Sequence, residues 1–381
     1  MTATVRQAVG SLLVVGLTGK ELSEMERAWL KLMRPAGIIL YKRNITDAAQ
    51  ARAMIAEASS FCLPHWTSFV DVEGGLVNRL REALAPIPSA QAAAQAALKS
   101  GNIALARQHG ELIARAVKAF GFNTSLAPMI DLALPDSVEV LGTRCPAPDA
   151  AGVVAYARAF LAGLKAQGVT GCIKHFPGLG GGTRDSHLET PAIRRAWKQL
   201  WQDDLEPYRA LRNVAPMVMI NHAAYPETAD KKHPASVSNF WIRDVLRKRI
   251  GYKGIILSDD LEMGGVVKFM PIEEAGIAAV RVGSDLVEIC HHPEPILRVY
   301  EALVSEGERS AAFRKILFER SRVSERKRKK VFPARMPPAL SATQFQALRD
   351  EVLRFGETIE KIIPAATIAG PVRPPTSVET A

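Results

Sequence analysis

Two short segments carry residues whose types and spacing suit chemistry. The first, Lys174-His-Phe-Pro-Gly-Leu-Gly-Gly-Gly-Thr-Arg-Asp-Ser-His187, opens at the end of an apolar run, crosses a glycine-rich stretch and closes on Asp185-x-His187. A histidine two residues from an aspartate can hydrogen-bond that carboxylate, which fixes the imidazole tautomer and stabilises the imidazolium, so His187 could donate a proton near neutral pH. Taken alone, the two read more readily as ordinary loop residues. The second segment, Ile255-Ile-Leu-Ser-Asp-Asp-Leu-Glu-Met263, ends a buried strand in two carboxylates. Desolvating such a charge is costly unless partners or substrate compensate, so Asp259 reads as a functional group and Asp260 either as one or as a helix N-cap. A carboxylate facing a proton donor across a sugar could attack the anomeric carbon while the leaving oxygen is protonated.

Other readings of the glycines are weaker. Gly178-x-Gly180-x-x-Thr183 lacks the third glycine of a dinucleotide fingerprint and is followed by Pro191, which argues against a Rossmann loop. A loop that closes over a ligand accounts for them better.

The elements that must position these groups are legible as eight short apolar, β-branched runs separated by helical stretches: Ser11–Leu17, Gly37–Leu40, Ser68–Asp71, Thr124–Asp131, Thr170–Lys174, Pro216–Ile220, Gly254–Ser258 and Ser284–Ile289. Between them Asp47–Ala58, Ala90–Ala119, Ala150–Gln167 and Phe240–Ile250 read as amphipathic helices. Local patterns do not by themselves exclude a doubly wound open sheet. The polar residues favour closure, because Asp71 and Glu73, Asp131, Lys174 and His175, Asn221 and His222, and Asp259 and Asp260 each follow a different run. They converge only if the strand ends form a ring, as at the C-terminal rim of a (β/α)8 TIM barrel. The fold expected is therefore a single α/β barrel over residues 1–308, with irregularities.

In sequence order these segments resemble glycoside hydrolase family 3, in its single-domain β-N-acetylglucosaminidase branch. The resemblance covers roughly residues 10–300 and rests also on Gly37-Ile-Ile-Leu-Tyr-Lys-Arg-Asn44, Val70-Asp-Val-Glu-Gly-Gly75 with Arg79, Ala127-Pro-Met-Ile-Asp131 and Pro234-Ala-Ser-Val-Ser238. It implies Asp259 as nucleophile and His187 with Asp185 as the acid/base dyad. Asp71, Arg79, Arg144, Lys174 and His175 are implied as substrate ligands, without metal or cofactor. Arg144 stands in Gly-Thr-Arg-Cys-Pro where the family has G-D-R-S-F. Leu179, Gly181 and Gly16 replace a frequent His, Asp and Asp.

The implied activity is retaining, exo-acting removal of terminal β-linked N-acetylglucosamine, with peptidoglycan turnover fragments as the expected substrates. Phosphorolysis on the same scaffold is a variant, since a neutral imidazole base would not repel phosphate as a carboxylate would. A β-glucosidase is disfavoured, because that branch draws its acid/base from a second domain. A rival of another class is a catalytically silent barrel that binds sugar or an acidic partner.

Composition bounds the rest. With 381 residues and 48% apolar content the chain can bury a full core, and no run reaches the roughly 18–20 apolar residues of a membrane span. Ala8–Leu17 follows Arg6 as a short secretory segment would, but it reads better as the first strand. Four scattered cysteines suggest neither zinc site nor disulfide framework, and fit a reducing cytoplasm. The net charge of +10 is concentrated between Arg314 and Arg335, where ten basic residues oppose Glu319 and Glu325. This run reads as a solvated helix face, so neither nucleic acid nor membrane is expected as a partner, and the chain is expected to be monomeric. Residues 309–363 read as a basic, helical C-terminal extension, and the proline-rich 364–381 as a disordered tail.

Overall fold

The structure, a computed structural model, describes residues 4–182 and 190–364. Eight parallel strands close into a barrel: β1 Leu13–Gly16, β2 Gly37–Ile39, β3 Thr67–Val70, β4 Thr124–Ser125, β5 Thr170–Phe176, β6 Met217–Ile220, β7 Ile255–Asp260 and β8 Leu286–Ile289. Each pairs with its neighbours in sequence, and β8 returns to β1 through Leu13↔Val287 and Val14↔Glu288. The eight apolar runs are these strands, and helices surround them. No helix of the described residues is long and apolar enough to cross a membrane.

The strands are buried on both faces, and alternation divides the core in two. Val14, Ile39, Phe69, Cys172, Leu257 and Leu286 form part of a cluster filling the barrel, whereas Leu13, Val15, Ile38, Val70, Ile173 and Val287 pack outward under the helices. The period of two then carries Asp71, Lys174 and Glu288 inward, each two residues beyond an inward-facing residue of its strand, while β7 shifts register against β8 between Leu257 and Asp260, around Asp259. Side chains thus fill the barrel and its C-terminal end carries the polar groups.

Two elements differ from expectation. The regular ladder of β4 covers only Thr124–Ser125, because Pro128 has no N–H to continue it; the chain then follows β5 through Cys172 N to Ala127 O (2.8 Å) and Ile130 N to Lys174 O (2.8 Å). The single helix expected over Ala90–Ala119 is two, Ala90–Ser100 and Ala104–Ala119. Gly101 ends the first at φ +66°, donating to Ala97 and Leu98 carbonyls, and the Asn102 side chain accepts from Ala104 N at the start of the second.

The basic run forms helix Ala311–Val331, which is not solvated throughout. Phe313, Leu317, Ser324 and Arg328 make its buried stripe. Lys327 Nζ reaches Asp285 Oδ2 (2.7 Å) and Gly254 O (2.8 Å), while Arg328 Nη1 donates to Pro64 O (3.1 Å) and His65 O (3.2 Å). Burial, against the pull of Asp285, lowers the Lys327 ammonium to about 8. Phe332 then enters the barrel cluster with its ring 6.3 Å from Phe69, and Thr170 Oγ1, at the start of β5, donates to Val331 O. The end of this helix closes the barrel at the pole opposite the polar ring. Helix Ala342–Ile362 packs on the Ala90–Ala119 pair, with Phe345 against Phe120 (5.9 Å) and Phe355 stacked on His109 (5.9 Å).

Candidate active site

The ring begins after β3. Val72–Gly74 and Val77–Asn78 form a small antiparallel hairpin that leaves Asp71 at the strand end and turns Glu73 inward. Gly74 has φ +92°, and a Cβ there would lie 2.1 Å from Pro88 O, so the turn that delivers Glu73 requires glycine. Lys174, from the end of β5, places Nζ 2.7 Å from both Asp71 Oδ1 and Glu73 Oε1. Arg144 closes the cluster from the other side with a two-pronged grip on Glu73, Nε to Oε2 and Nη2 to Oε1, both 2.9 Å. Arg79 lies 5.6 Å from the Tyr41 ring and near enough to Asp71 to stabilise its charge.

The charges of this cluster hold one another. Burial works to neutralise Glu73, but Arg144 and Lys174 overcome it and hold the carboxyl well below the ordinary carboxylate range. Burial likewise opposes the Lys174 ammonium, and Asp71 with Glu73 reverse this and raise it. Asp71 is lowered by Lys174 and Arg79 against its own burial. The lowered acids contribute stability above the ordinary carboxylate range, lost as pH falls through their folded values. The raised lysine contributes below the ordinary lysine range and loses this as pH rises through its folded value. All of it is present at neutral pH. Lys174→Met should leave Asp71 and Glu73 buried with one cation fewer, and is expected to cost about 3–5 kcal/mol, read as a lower urea midpoint. An unchanged midpoint would mean that Arg79 and Arg144 suffice.

His175 is positioned by Asp131, which follows β4. Asp131 Oδ2 accepts from His175 N (3.1 Å) and from Nδ1 (2.7 Å), and its Oδ1 accepts from Leu179 N (2.7 Å). A proton on Nδ1 leaves Nε2 as acceptor, 3.5 Å from Arg144 Nη2. Asn221 holds the same turn from β6: its Nδ2 donates to His175 O (3.0 Å) and to the Tyr225 hydroxyl (2.9 Å), which donates to Gly178 O (2.7 Å). Five of the expected ligands, Asp71, Arg79, Arg144, Lys174 and His175, are therefore brought together. Glu73 and Asp131, noticed in the sequence only as strand-end acids, organise them.

Asp259 and Asp260 have different fates. Asp260 is buried; its Oδ1 accepts from Glu262 N (3.1 Å) and Cys290 N (3.1 Å), and its Oδ2 faces His291 Nε2 at 3.2 Å. It fastens β7 to the end of β8 and caps a turn rather than a helix. His222 secures the same strand end, with Nε2 2.8 Å from Asp260 O and Nδ1 2.7 Å from Ser236 Oγ. Asp259 is half-exposed, and among the described residues it accepts one hydrogen bond, from Asp260 N at 3.0 Å. A carboxylate so lightly held keeps a lone pair for an incoming electrophile.

Asp185 and His187 lie outside the described residues. The residues on either side are fixed: Gly182 N donates to Leu179 O (2.9 Å), and Thr190 Oγ1 donates to Gly265 O (2.7 Å), just beyond β7. Among the described residues no group of three or more His, Cys, Asp or Glu could hold a metal ion. The four cysteines are buried and unbridged, and burial pushes the Cys62 thiol up to about 12.

Residues 4–323 match the glycosyl hydrolase family 3 N terminal domain. A β-hexosaminidase of Stenotrophomonas maltophilia (strain R551-3) is 34% identical over 304 residues, 79% of this chain and 89% of the relative. The family 3 β-N-acetylglucosaminidase from Paenibacillus sp. str. FPU-7 superposes with a TM-score of 0.81 at 28% identity, over 93% of this chain and 69% of that one. NagZ from Neisseria gonorrhoeae, in complex with N-trifluoroacetyl-D-glucosamine, superposes with a TM-score of 0.74 at 27% identity, over 93% of this chain and 98% of that one.

Proposed function

The chain belongs to glycosyl hydrolase family 3, and from that premise we infer that it is a glycoside hydrolase, a β-N-acetylhexosaminidase that removes terminal β-linked N-acetylglucosamine. The observation that carries the mechanistic reading is Asp259: a lightly held, half-exposed carboxylate at the C-terminal end of β7, at the same rim as the Asp71–Lys174–Glu73–Arg144 cluster. Fixed charged donors and acceptors on one side and a free carboxylate on the other suit a pyranose whose hydroxyls are held while its anomeric carbon is attacked.

The reaction is a double displacement. An Asp259 oxygen bonds to the anomeric carbon, the bond to the leaving oxygen breaks, and His187 as imidazolium, oriented by Asp185, gives that oxygen its proton. Neutral His187 then takes a proton from water, whose oxygen attacks the same carbon from the opposite face and releases Asp259. Two inversions return the β configuration. The substrate is a small carbohydrate, a terminal N-acetylglucosamine on a cytoplasmic peptidoglycan fragment, bound by a monomer without metal or cofactor.

Product analysis tests this reading. With an aryl β-N-acetylglucosaminide, NMR is expected to show the β-anomer of free N-acetylglucosamine appearing before mutarotation; the α-anomer appearing first would exclude the double displacement. In phosphate buffer the same assay separates free sugar, expected here, from the sugar 1-phosphate that a phosphorylase would form.

A further inference from the structure

One carboxyl inside the barrel has no part in this mechanism. Glu288, on β8, is 1% exposed, and its Oε1 is buried without a hydrogen-bond partner among the described residues. Its direction follows from alternation. Leu286 and Cys290 on either side of it belong to the barrel cluster, so Glu288 faces the same interior; the register with β7 shifts after Leu286↔Leu257, and Glu288 pairs with Asp260, the residue next to Asp259. Asp259 is half-exposed at the mouth, whereas Glu288 is buried.

Retaining an unpartnered acid in a barrel otherwise filled by apolar side chains is costly, and a leucine would fill the volume without that penalty. The ionisable groups near enough to act on it are Asp71 just beyond β3, Lys174 and Cys172 of β5, Asp259 and Asp260 of β7, Tyr41 beyond β2 and Cys290 just beyond its own strand. Burial, and then the charges of Asp71, Asp259 and Asp260 against that of Lys174, push its acid well above the ordinary glutamate range. A neutral carboxylic acid is a hydrogen-bond donor. Of the carboxylates near it, Asp71 is already bonded to Lys174, and Asp260 accepts from Glu262 N and Cys290 N through Oδ1, while its Oδ2 makes no hydrogen bond among the described residues but lies 3.2 Å from His291 Nε2. Asp259 is the part-exposed neighbour, accepting only from Asp260 N among the described residues.

We propose that Glu288 is a positioning residue for the displacement: as the hydrogen-bond donor of a carboxyl pair with Asp259, it aims the nucleophile's free oxygen from the neighbouring strand. This rests on Asp259 being the nucleophile. The bond tightens when a bound sugar expels water from the gap, as donor–acceptor pairs in an unliganded site commonly do. No proton leaves Glu288 during turnover. Loss of that proton at high pH removes the donor and sets a second anion against Asp259, so glycosylation slows.

The test compares wild type, Glu288→Gln, Glu288→Leu and Asp259→Ala, measuring kcat/KM against pH on an aryl β-N-acetylglucosaminide whose leaving group needs no protonation, so that His187 does not set the alkaline limb. Glu288→Leu, which has no donor, is expected to lose about tenfold or more in kcat/KM. Its melting temperature should hold or rise, because a buried unpartnered acid has been replaced by a packed apolar group; a merely structural residue would lose stability instead. Glu288→Gln keeps a donor and cannot ionise, so it should lose less than the leucine variant and show its alkaline limb displaced upward by about one pH unit or more. Wild-type kcat/KM in Glu288→Leu, or a Glu288→Gln profile superposing on wild type, would overturn the proposal, and the glutamine profile decides alone if the leucine variant does not fold. An active Asp259→Ala would instead overturn the nucleophile assignment beneath it.

Discussion

Asp259→Ala is expected to lower kcat/KM for an aryl β-N-acetylglucosaminide by on the order of 10^4-fold or more, with little change in the unfolding midpoint. The two halves of that expectation have one cause. Asp259 accepts a single hydrogen bond among the described residues, from the next residue's own N–H, so its removal unties nothing. The adjacent Asp260 fastens the ends of β7 and β8 and is a poor control, since its loss would disturb the frame that presents Asp259. Activity should fall because among the described residues the other carboxylates of the rim are engaged or buried: Asp71 and Glu73 are held by Lys174 and Arg144, Asp260 by Glu262 N and Cys290 N, and Glu288 is buried. The variant should regain turnover with added azide, which can enter the space left by the carboxylate and attack the anomeric carbon from the same face. The product would then be the α-glycosyl azide, since one displacement inverts where two retain. An activity loss matched by a fallen midpoint and without azide product would assign Asp259 to the scaffold.

The fold was legible because strands buried on both faces leave apolar runs that local pattern detects, and all eight stand where those runs are. What escaped was non-local or lay inside the apolar runs. Lys174 reaches Asp71 across 103 residues and Arg144 reaches Glu73 across 71, so no window of sequence shows that the charges pair. Arg144, whose sequence surroundings depart from the family pattern, is placed among the ligands by that two-pronged bond to Glu73. Glu288 sits inside a run that reads as a buried strand, and the signal available was the charge itself, a glutamate where every neighbour from Leu286 to Ile289 is apolar. The basic stretch misled for the opposite reason: residue type suggested water, whereas Lys327 and Arg328 are turned inward, to Gly254 and Asp285 just before β7 and β8 and to the loop before β3, by a helix whose register composition cannot reveal.

His187→Ala is expected to discriminate between substrates by leaving group, and this follows from the chemistry assigned to the imidazole. Formation of the glycosyl-enzyme needs a proton on the departing oxygen only when that oxygen is basic. On a disaccharide or an alkyl glycoside, kcat/KM should therefore fall by about 10^2–10^4-fold, whereas on an aryl glycoside with a strongly acidic phenol it should change little. The second step needs the same imidazole as a base whatever the first leaving group was. With the acidic phenol, kcat should drop while kcat/KM survives, and a burst of phenol should precede slow turnover as the covalent intermediate accumulates on Asp259. The part of the alkaline fall of kcat/KM on basic leaving groups that the imidazolium sets should also vanish, because wild type loses that proton donor as it deprotonates and the variant has none to lose, leaving only the limb assigned to Glu288. Asp185→Asn should move in the same direction by less, since it weakens the hydrogen bond that orients the imidazole and leaves the imidazole in place. Equal losses on acidic and basic leaving groups would remove the acid role from His187, and absence of a burst would remove the base role, each independently of the nucleophile.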